Sequence, residues 1–313
     1  MYQKILIPLD GSPFAERVLA HIRPFITPHH TSVLLLRVVE RTKVVSATGP
    51  LGSLASLSAE RLWEEAEGYL RAIQGELRAM GITAECKVVA GDVTSTICES
   101  ALAHDADLIA MATHGRSGVS RWALGSVADH VVRVCPLPIL LVRASAETMS
   151  NQQLRQNLVP LDGSLFAEQA LDSAQALAQE NGASLLLVRS IDLKSERELD
   201  GMLEEVEGGS ALRAHRARAA RLYLDHVQEQ LHSSGVCSHY HLMYTPPAPA
   251  ILKTASQEEV DLIVMSTHAR SMLGRWVYGS VADKVARDTT CPLLLVRASD
   301  ARAYENGSSG ELH

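Results

Sequence analysis

The chain has 313 residues, of which 46% are hydrophobic and 21% charged, which is enough for two domains of about 150 residues with a core each. The formal net charge of −7 argues against a nucleic-acid binder, whose surface must be basic to displace counterions from phosphates. No apolar run approaches the roughly 18 residues of a membrane-spanning helix, and the first residues, MYQKILIPLD, lack a signal-peptide pattern. We therefore expect a globular cytoplasmic protein without nucleic-acid or membrane partners.

The five cysteines are Cys86, Cys98, Cys135, Cys237 and Cys291. Their number is odd, and none stands in a CxxC pair or close to a second pair of histidine and cysteine. We therefore predict buried free thiols and no metal site.

The first predicted element is a strand over residues 5–9, which the turn sequence DGSP follows. Ser12 is predicted to cap a helix whose first position is Pro13, where a backbone N–H is not needed. The helix is predicted to continue because apolar residues recur at helical spacing, at Ala15, Val18, Leu19 and Ile22.

The rest of this half alternates between strand and helix patterns. Strands are predicted over 32–39, about 86–90, 107–113 and 139–143, and helices over about 58–80, about 94–104 and from 126. Five strands that alternate with helices predict an α/β fold, an open doubly wound parallel sheet with helices on both faces. Ligands of such sheets bind at the carboxyl ends of the strands, so the loops after strands one and four are the candidate site.

The pattern occurs twice. Residues 113–129 read THGRSGVSRWALGSVAD and residues 267–283 read THARSMLGRWVYGSVAD, while ILIPLDGSPFAE at 5–16 matches NLVPLDGSLFAE at 157–168. A period of this length is a whole domain rather than a solenoid repeat. We predict one domain over 1–145, a polar linker over 146–156, a second domain over 157–300 and a loose tail over 301–313.

The chain after the fourth strand carries the most specific motif. Ala112, Gly115, Gly125 and Ser126 stand at the spacing G-x-x-G-x9-G-[S/T], with alanine in place of the first glycine. This motif and the repeated PLDGS sequence resemble the universal stress protein family, over nearly the whole chain and twice. The resemblance implies a Rossmann-like fold of the adenine nucleotide alpha hydrolase type, and a loop that wraps the phosphates of ATP.

The residues themselves agree with an anion site. Glycines let backbone amides approach an anion closely, and a serine at a helix start caps the helix, whose first N–H groups then face the phosphates. The alternative is that the glycines are ordinary loop and cap residues. By resemblance, the nucleotide-binding residues are Pro8, Leu9, Asp10, Val38, Met111, Ala112, Gly115, Arg116, Ser117, Gly118, Gly125, Ser126 and Val127.

Two of these positions, and a histidine beside the loop, have competing interpretations. Asp10 can accept from a ribose hydroxyl or hold a phosphate-bound Mg²⁺ through water, or it can form an Asx-turn at the helix start. Met111 can contact the nucleotide or be a core methionine. His114 and its counterpart His268 form no recognisable triad, so we predict no catalytic residue and no protein ligand to a metal.

The second copy differs in the loop. Ala269 and Met272 replace Gly115 and Gly118, and YTPPAPA at 244–250 replaces AGDVTST at 90–96. The second site is therefore expected to be weakened, altered in ligand or purely structural.

Three functions fit these observations. The first is a regulatory ATP-binding module of a stress response, which works with Mg²⁺, hydrolyses ATP slowly at most and presents a surface to a protein partner. The second is an interaction scaffold without nucleotide. The third is an ATP pyrophosphatase-type enzyme, although the paired glycines typical of its first loop are missing from PLDGS. We also expect the two domains to pair with each other, and whole chains can form a homodimer.

Overall fold

The computed structural model describes residues 2–40, 52–113, 124–143, 153–191, 209–267 and 279–297, and only the backbone of 52–59 and 209–212. The chain forms two compact units, which we call unit one (Met1–Gln153) and unit two (Leu154–His313). Both are α/β units of the predicted class, and the two are described separately below.

Unit one contains, in its described residues, five strands and four α-helices. The strands are β1 (Lys4–Pro8), β2 (Ser32–Glu40), β3 (Thr83–Gly91), β4 (Leu108–Ala112) and β5 (Ile139–Val142). The helices are α1 (Pro13–Glu16), α2 (Gly52–Ala79), α3 (Val93–Ala103) and α4 (Ser126–Val134).

Unit two repeats this order in its described residues. The strands are β6 (Gln156–Pro160), β7 (Ser184–Ser190), β8 (Ser238–Met243), β9 (Leu262–Thr267) and β10 (Leu293–Arg297). The helices are α5 (Leu165–Asn181), α6 (Gly209–Ser233), α7 (Pro247–Gln257) and α8 (Ser280–Asp288).

All strand pairs within each unit are parallel. The order is β3-β2-β1-β4-β5 in unit one and β8-β7-β6-β9-β10 in unit two. Right-handed crossovers place the helices before and after the reversal of strand order on opposite faces, which confirms the predicted doubly wound sheet. The strands are therefore covered on both sides, and this is why they read as continuous apolar runs.

The long helix of each unit packs one apolar stripe on the sheet. In α2 the buried stripe is Ala66, Leu70, Ile73 and Leu77, and in α6 it is Ala220, Leu224, Val227 and Leu231. This i, i+4, i+7, i+11 spacing is the one that a helix needs to cover a sheet with one face. The two stripes also give the sequence alignment of α2 with α6, in which Ala66 corresponds to Ala220 and Leu77 to Leu231.

The first helix is where the structure departs from the sequence prediction. In unit one α1 ends at Glu16 and continues as two short 3₁₀-helices, Arg17–His21 and Arg23–Phe25. Pro24 prevents an α-helix from continuing past residue 20, because proline lacks an N–H and its ring clashes with the carbonyl four residues earlier. The change to 3₁₀ geometry already at Arg17 has no structural explanation. Unit two has Ala176 at that position, and α5 runs without interruption for 17 residues to Gly182.

Two further expectations need adjustment. Cys98 and Cys135 are buried as predicted, whereas Cys86 and Cys291 are half-buried and Cys237 is exposed in the turn between α6 and β8. β6 begins at Gln156, and Leu154 is buried, so unit two starts inside the segment predicted as the linker. None of the helices in the described part of the chain is long and apolar enough to span a membrane.

Asn157 is an unusual residue for the middle of a central strand. It is fully buried, and within the described residues neither its amide nitrogen nor its amide oxygen has a hydrogen-bond partner. The equivalent residue of unit one is Ile5, which is also fully buried. A buried amide without a partner costs about 1–3 kcal/mol.

We expect Asn157→Leu, which keeps the branching of the side chain, to raise the free energy of unfolding by about 1 kcal/mol. Urea unfolding of the full chain, with hydrogen exchange of the β6 amides, measures this. The control is Asn157→Asp, which buries a charge and should destabilise the chain. An unfolding midpoint lower for the leucine variant than for the unmodified chain would contradict the prediction.

Candidate functional site

The carboxyl edge of each sheet has a crevice at the point where the strand order reverses. β1 pairs with β2 on one side and with β4 on the other, so the strand order reverses at β1. Such a reversal opens a cleft at the strand ends, where open α/β sheets bind ligands. In unit two the corresponding strands are β6, β7 and β9.

Three strand ends of unit one carry predicted site residues. Pro8 ends β1 beside Leu36, and the next residue, Leu9, is buried and donates its N–H to the Leu36 carbonyl at 2.8 Å. Val38 lies two residues further along β2 and is half-buried. Met111 and Ala112 end β4; the methionine is 5% exposed, so its side chain is largely core.

The start of α4 completes this edge. Gly125 donates its N–H to the Thr113 carbonyl at 2.6 Å, which ties the end of the loop to the end of β4. Ser126 and Val127 are the first two helical residues. The prediction that Ser126 caps the helix is wrong: the N-cap is Gly125, and within the described residues no side chain caps α4. Gly115, Arg116, Ser117 and Gly118 lie outside the described residues.

Asp10 forms the local turn that was one of its two predicted roles. Its Oδ1 accepts from the backbone N–H of Ser12 at 2.9 Å and from the Ser12 hydroxyl. Ser12 in turn accepts from the Ala15 N–H at 3.2 Å, which confirms the predicted helix cap. Unit two repeats the arrangement with Asp162 and Ser164.

In unit one a tyrosine–glutamate hydrogen bond, which was not predicted from the sequence, fastens the long helix to the first helix: Tyr69 donates to Glu16 at 2.9 Å. Unit two has Tyr223 and Glu168 at the matching positions, but within the described residues the buried Tyr223 hydroxyl has no hydrogen-bond partner of ordinary geometry. Burial, followed by the neighbouring glutamate, raises the pKa of both tyrosines. Both hydroxyls therefore stay protonated at neutral pH. The signal was available, because PFAE and LFAE occupy matching positions in the two copies.

Unit two encloses a cavity of about 640 Å³ at its carboxyl edge. A volume of this size is typical of small-molecule sites. The cavity lies at the ends of β6, β7 and β9 and at the starts of α5, α7 and α8. Its lining residues are Pro160, Leu161, Asp162, Phe166, Ala167, Val188, Arg189, Ser190, Ile191, Arg216, Ala219, Ala220, Pro247, Ile251, Met265, Ser266, Gly279, Ser280, Val281 and Ala282.

This lining contains the counterparts of most predicted site residues of unit one. Asp162, Ser190, Met265 and Gly279 stand where unit one has Asp10, Val38, Met111 and Gly125, as the alignment of the two copies requires. The position chosen from the sequence is therefore a concave site in the copy that was expected to be impaired.

Arg189 makes two close contacts at this cavity. Its guanidinium carbon lies 4.8 Å from the centre of the Tyr223 ring, a cation–π contact. It also approaches the backbone of Gly163, where an added Cβ would lie 2.8 Å from Nη1. Gly163 has a φ of +86°, which side-chain-bearing residues rarely adopt. The glycine of PLDGS is thus required by the backbone, and an added Cβ would also displace the guanidinium group.

We expect Gly163→Ala to destabilise the chain by more than the roughly 1 kcal/mol that a positive φ costs alone, because the arginine must also move. The matched control is Gly182→Ala, at a φ of +66° with no atom within 4 Å of the added Cβ. Urea unfolding of both variants gives the comparison. Equal losses would show that the contact with Arg189 adds nothing.

Comparison with known proteins gives consistent matches for both units. The family profile described as "Universal stress protein family" matches residues 1–143 and again 154–297. A universal stress protein of Methanocaldococcus jannaschii is 30% identical over 155 residues, which cover 46% of this chain and 96% of that protein. One from Mycolicibacterium smegmatis is 24% identical over 299 residues and covers 94% of this chain, with 96% of its own length matched.

A solved structure supports the fold over the same length. The crystal structure of a universal stress protein from Archaeoglobus fulgidus superimposes with a TM-score of 0.72 at 21% identity. It covers 95% of this chain and 99% of its own. At this identity the match concerns the fold and not the ligand.

Proposed function

Since this chain belongs to the universal stress protein family, we propose that unit one is an ATP-binding module that works with Mg²⁺ in a stress response. Nucleotide occupancy changes a surface that a protein partner reads. Unit one carries this role because it retains Gly115 and Gly118, which unit two has replaced.

The observation that carries the proposal is the arrangement of the strand ends around the reversal point. Pro8, Asp10, Val38 and Ala112 belong to three adjacent strand ends, and they precede or face the crevice that a doubly wound sheet opens there. An adenosine suits this place because Pro8, Val38 and Ala112 are apolar and Asp10 is polar.

The start of α4 fits the phosphates. With a glycine as N-cap and no side-chain cap among the described residues, its first amides are available to an anion, and the helix dipole favours negative charge there. Asp10 is half-exposed at the neighbouring strand end, where a carboxylate suits a ribose hydroxyl or a water-bound Mg²⁺. Bound Mg²⁺ would neutralise phosphate charge.

Titration calorimetry with Mg-ATP tests the site. We expect one tight site per chain, and Gly115→Ala combined with Gly118→Met should abolish it. Lost amide contacts to a charged phosphate cost about 1.5–3 kcal/mol each, which is tenfold or more in affinity. The reverse pair, Ala269→Gly with Met272→Gly, should partly restore a second site.

A matched pair of described residues serves as the control. Asp10→Asn should weaken Mg-ATP binding, whereas Asp162→Asn, its counterpart in unit two, should leave the tight site unchanged. Two equal tight sites in the unmodified chain, or an unchanged affinity after the glycine substitutions, would contradict the assignment to unit one.

Turnover separates a binding module from an enzyme. We expect ATP to stay bound with slow phosphate release and without release of pyrophosphate in the presence of acceptors. Rapid release of either product would favour an enzyme, and the absence of any nucleotide binding would favour a scaffold.

Pairing of the two units belongs to the same proposal, because fusion supplies one domain to the other at high effective concentration. The apolar strands β5 and β10 are candidates for the seam. Residues 1–153 and 154–313, expressed together as separate chains, should associate at micromolar concentration. Two monomers in analytical ultracentrifugation would argue against pairing.

A further inference from the structure

The cavity of unit two has acquired positive charge on one side. Arg189 and Arg216 both line it, on the side formed by β7 and α6. In unit one, the aligned residues are Arg37 and Leu62, so the second arginine occurs in unit two alone. Ser190 likewise replaces Val38, the residue predicted to line adenine.

The exchanges of Leu62 for Arg216 and of Val38 for Ser190 change which kind of ligand group can bind beside β7 and α6. Val38 and Leu62 suit a neutral aromatic base, whereas a serine and a second guanidinium group suit an anion. Arginine binds phosphate through two parallel N–H···O bonds, and two arginines match the double negative charge of a phosphate monoester better than a carboxylate. One of them, Arg189, already contacts the Tyr223 ring and lies close to Gly163.

The other part of the cavity suits a ring. At the end formed by β6 and β9, Phe166 of α5 and Met265 of β9 contribute apolar surface to the lining. β7 and β9 lie on opposite sides of β6, which separates the two ends of the cavity by roughly 10 Å, two strand spacings. A flat ring with a phosphate at one end fits this distance.

We propose that unit two is a second ligand site, which takes a phosphate monoester attached to a flat ring and pairs its phosphate with Arg189 and Arg216. In the ATP site proposed for unit one the phosphates lie at the start of α4, whereas in this site the phosphate lies beside β7 and α6. It does not rest on ATP binding by unit one, because all of its lining residues belong to unit two.

Calorimetry with AMP and with phenyl phosphate tests the site, and adenosine is the uncharged control. The titrations use the full chain and also the Gly115→Ala, Gly118→Met variant, which separates unit two from the ATP site. We expect at least one of the two phosphates to bind in both backgrounds, with an affinity that falls as salt rises. Binding of AMP alone would identify a nucleotide, and binding of phenyl phosphate alone a different aryl phosphate.

Arg216→Leu introduces the residue of unit one and should raise the Kd of the phosphate by about tenfold or more, with no change for adenosine. Arg216→Lys keeps the charge but not the paired N–H groups, so its Kd for the phosphate should lie between those of the unmodified chain and of Arg216→Leu. Arg221→Leu removes the same charge from an exposed position of α6 outside the cavity lining and should leave the Kd unchanged. Equal effects of Arg216→Leu and Arg221→Leu, or no binding of either phosphate up to millimolar concentration, would overturn the proposal.

Discussion

The hydrogen bonding of one strand on both edges is the constraint on which each unit depends. β1 and β6 each pair in parallel with the strand that follows them and with the strand that comes fourth in their unit. Parallel pairing forces every connection to return across the sheet, so all carboxyl ends meet at one edge. Residues far apart in the chain, such as Asp162 and Ser266, thereby come to line one cavity.

The two units keep this backbone arrangement and differ in the side chains at its edge. Both start the first helix with an aspartate–serine turn, and both have a tyrosine and a glutamate at the positions where Tyr69 and Glu16 fasten the long helix of unit one. These shared residues hold the frame around the site. The lining is free to change within that frame, and the exchange of Leu62 for Arg216 changes its charge without disturbing the buried stripe of the helix.

Some differences between the copies compensate each other. In unit one an added Cβ at Gly91 would lie 2.1 Å from the Thr96 hydroxyl, so the glycine makes room for the threonine. In unit two the aligned residues are Thr245 and Ala250, which reverse the sizes. The segment YTPPAPA by itself suggests that unit two has lost a function. The paired exchanges of Gly91 for Thr245 and of Thr96 for Ala250 show that part of the difference preserves packing.

The sequence by itself determined the fold class, the repeat and the edge of the sheet that carries the candidate site, because apolar runs and turn residues are local signals. It placed β4, α3 and α4 within one or two residues. It did not reveal the change from α-helix to 3₁₀-helix at Arg17, the glycine cap of α4 or the burial of Asn157, since each depends on how the chain packs.

Only the tertiary structure decided which side chains share a cavity. Arg189, Gly163 and Tyr223 lie on a strand, in a turn and on a helix, and no spacing in the sequence indicates that the guanidinium group is close to both of the others. Arg216 reads as one of several arginines on a helix surface until the fold turns it towards the ends of β6 and β7. Contacts of this kind come from chain crossovers, and local sequence patterns carry no record of them.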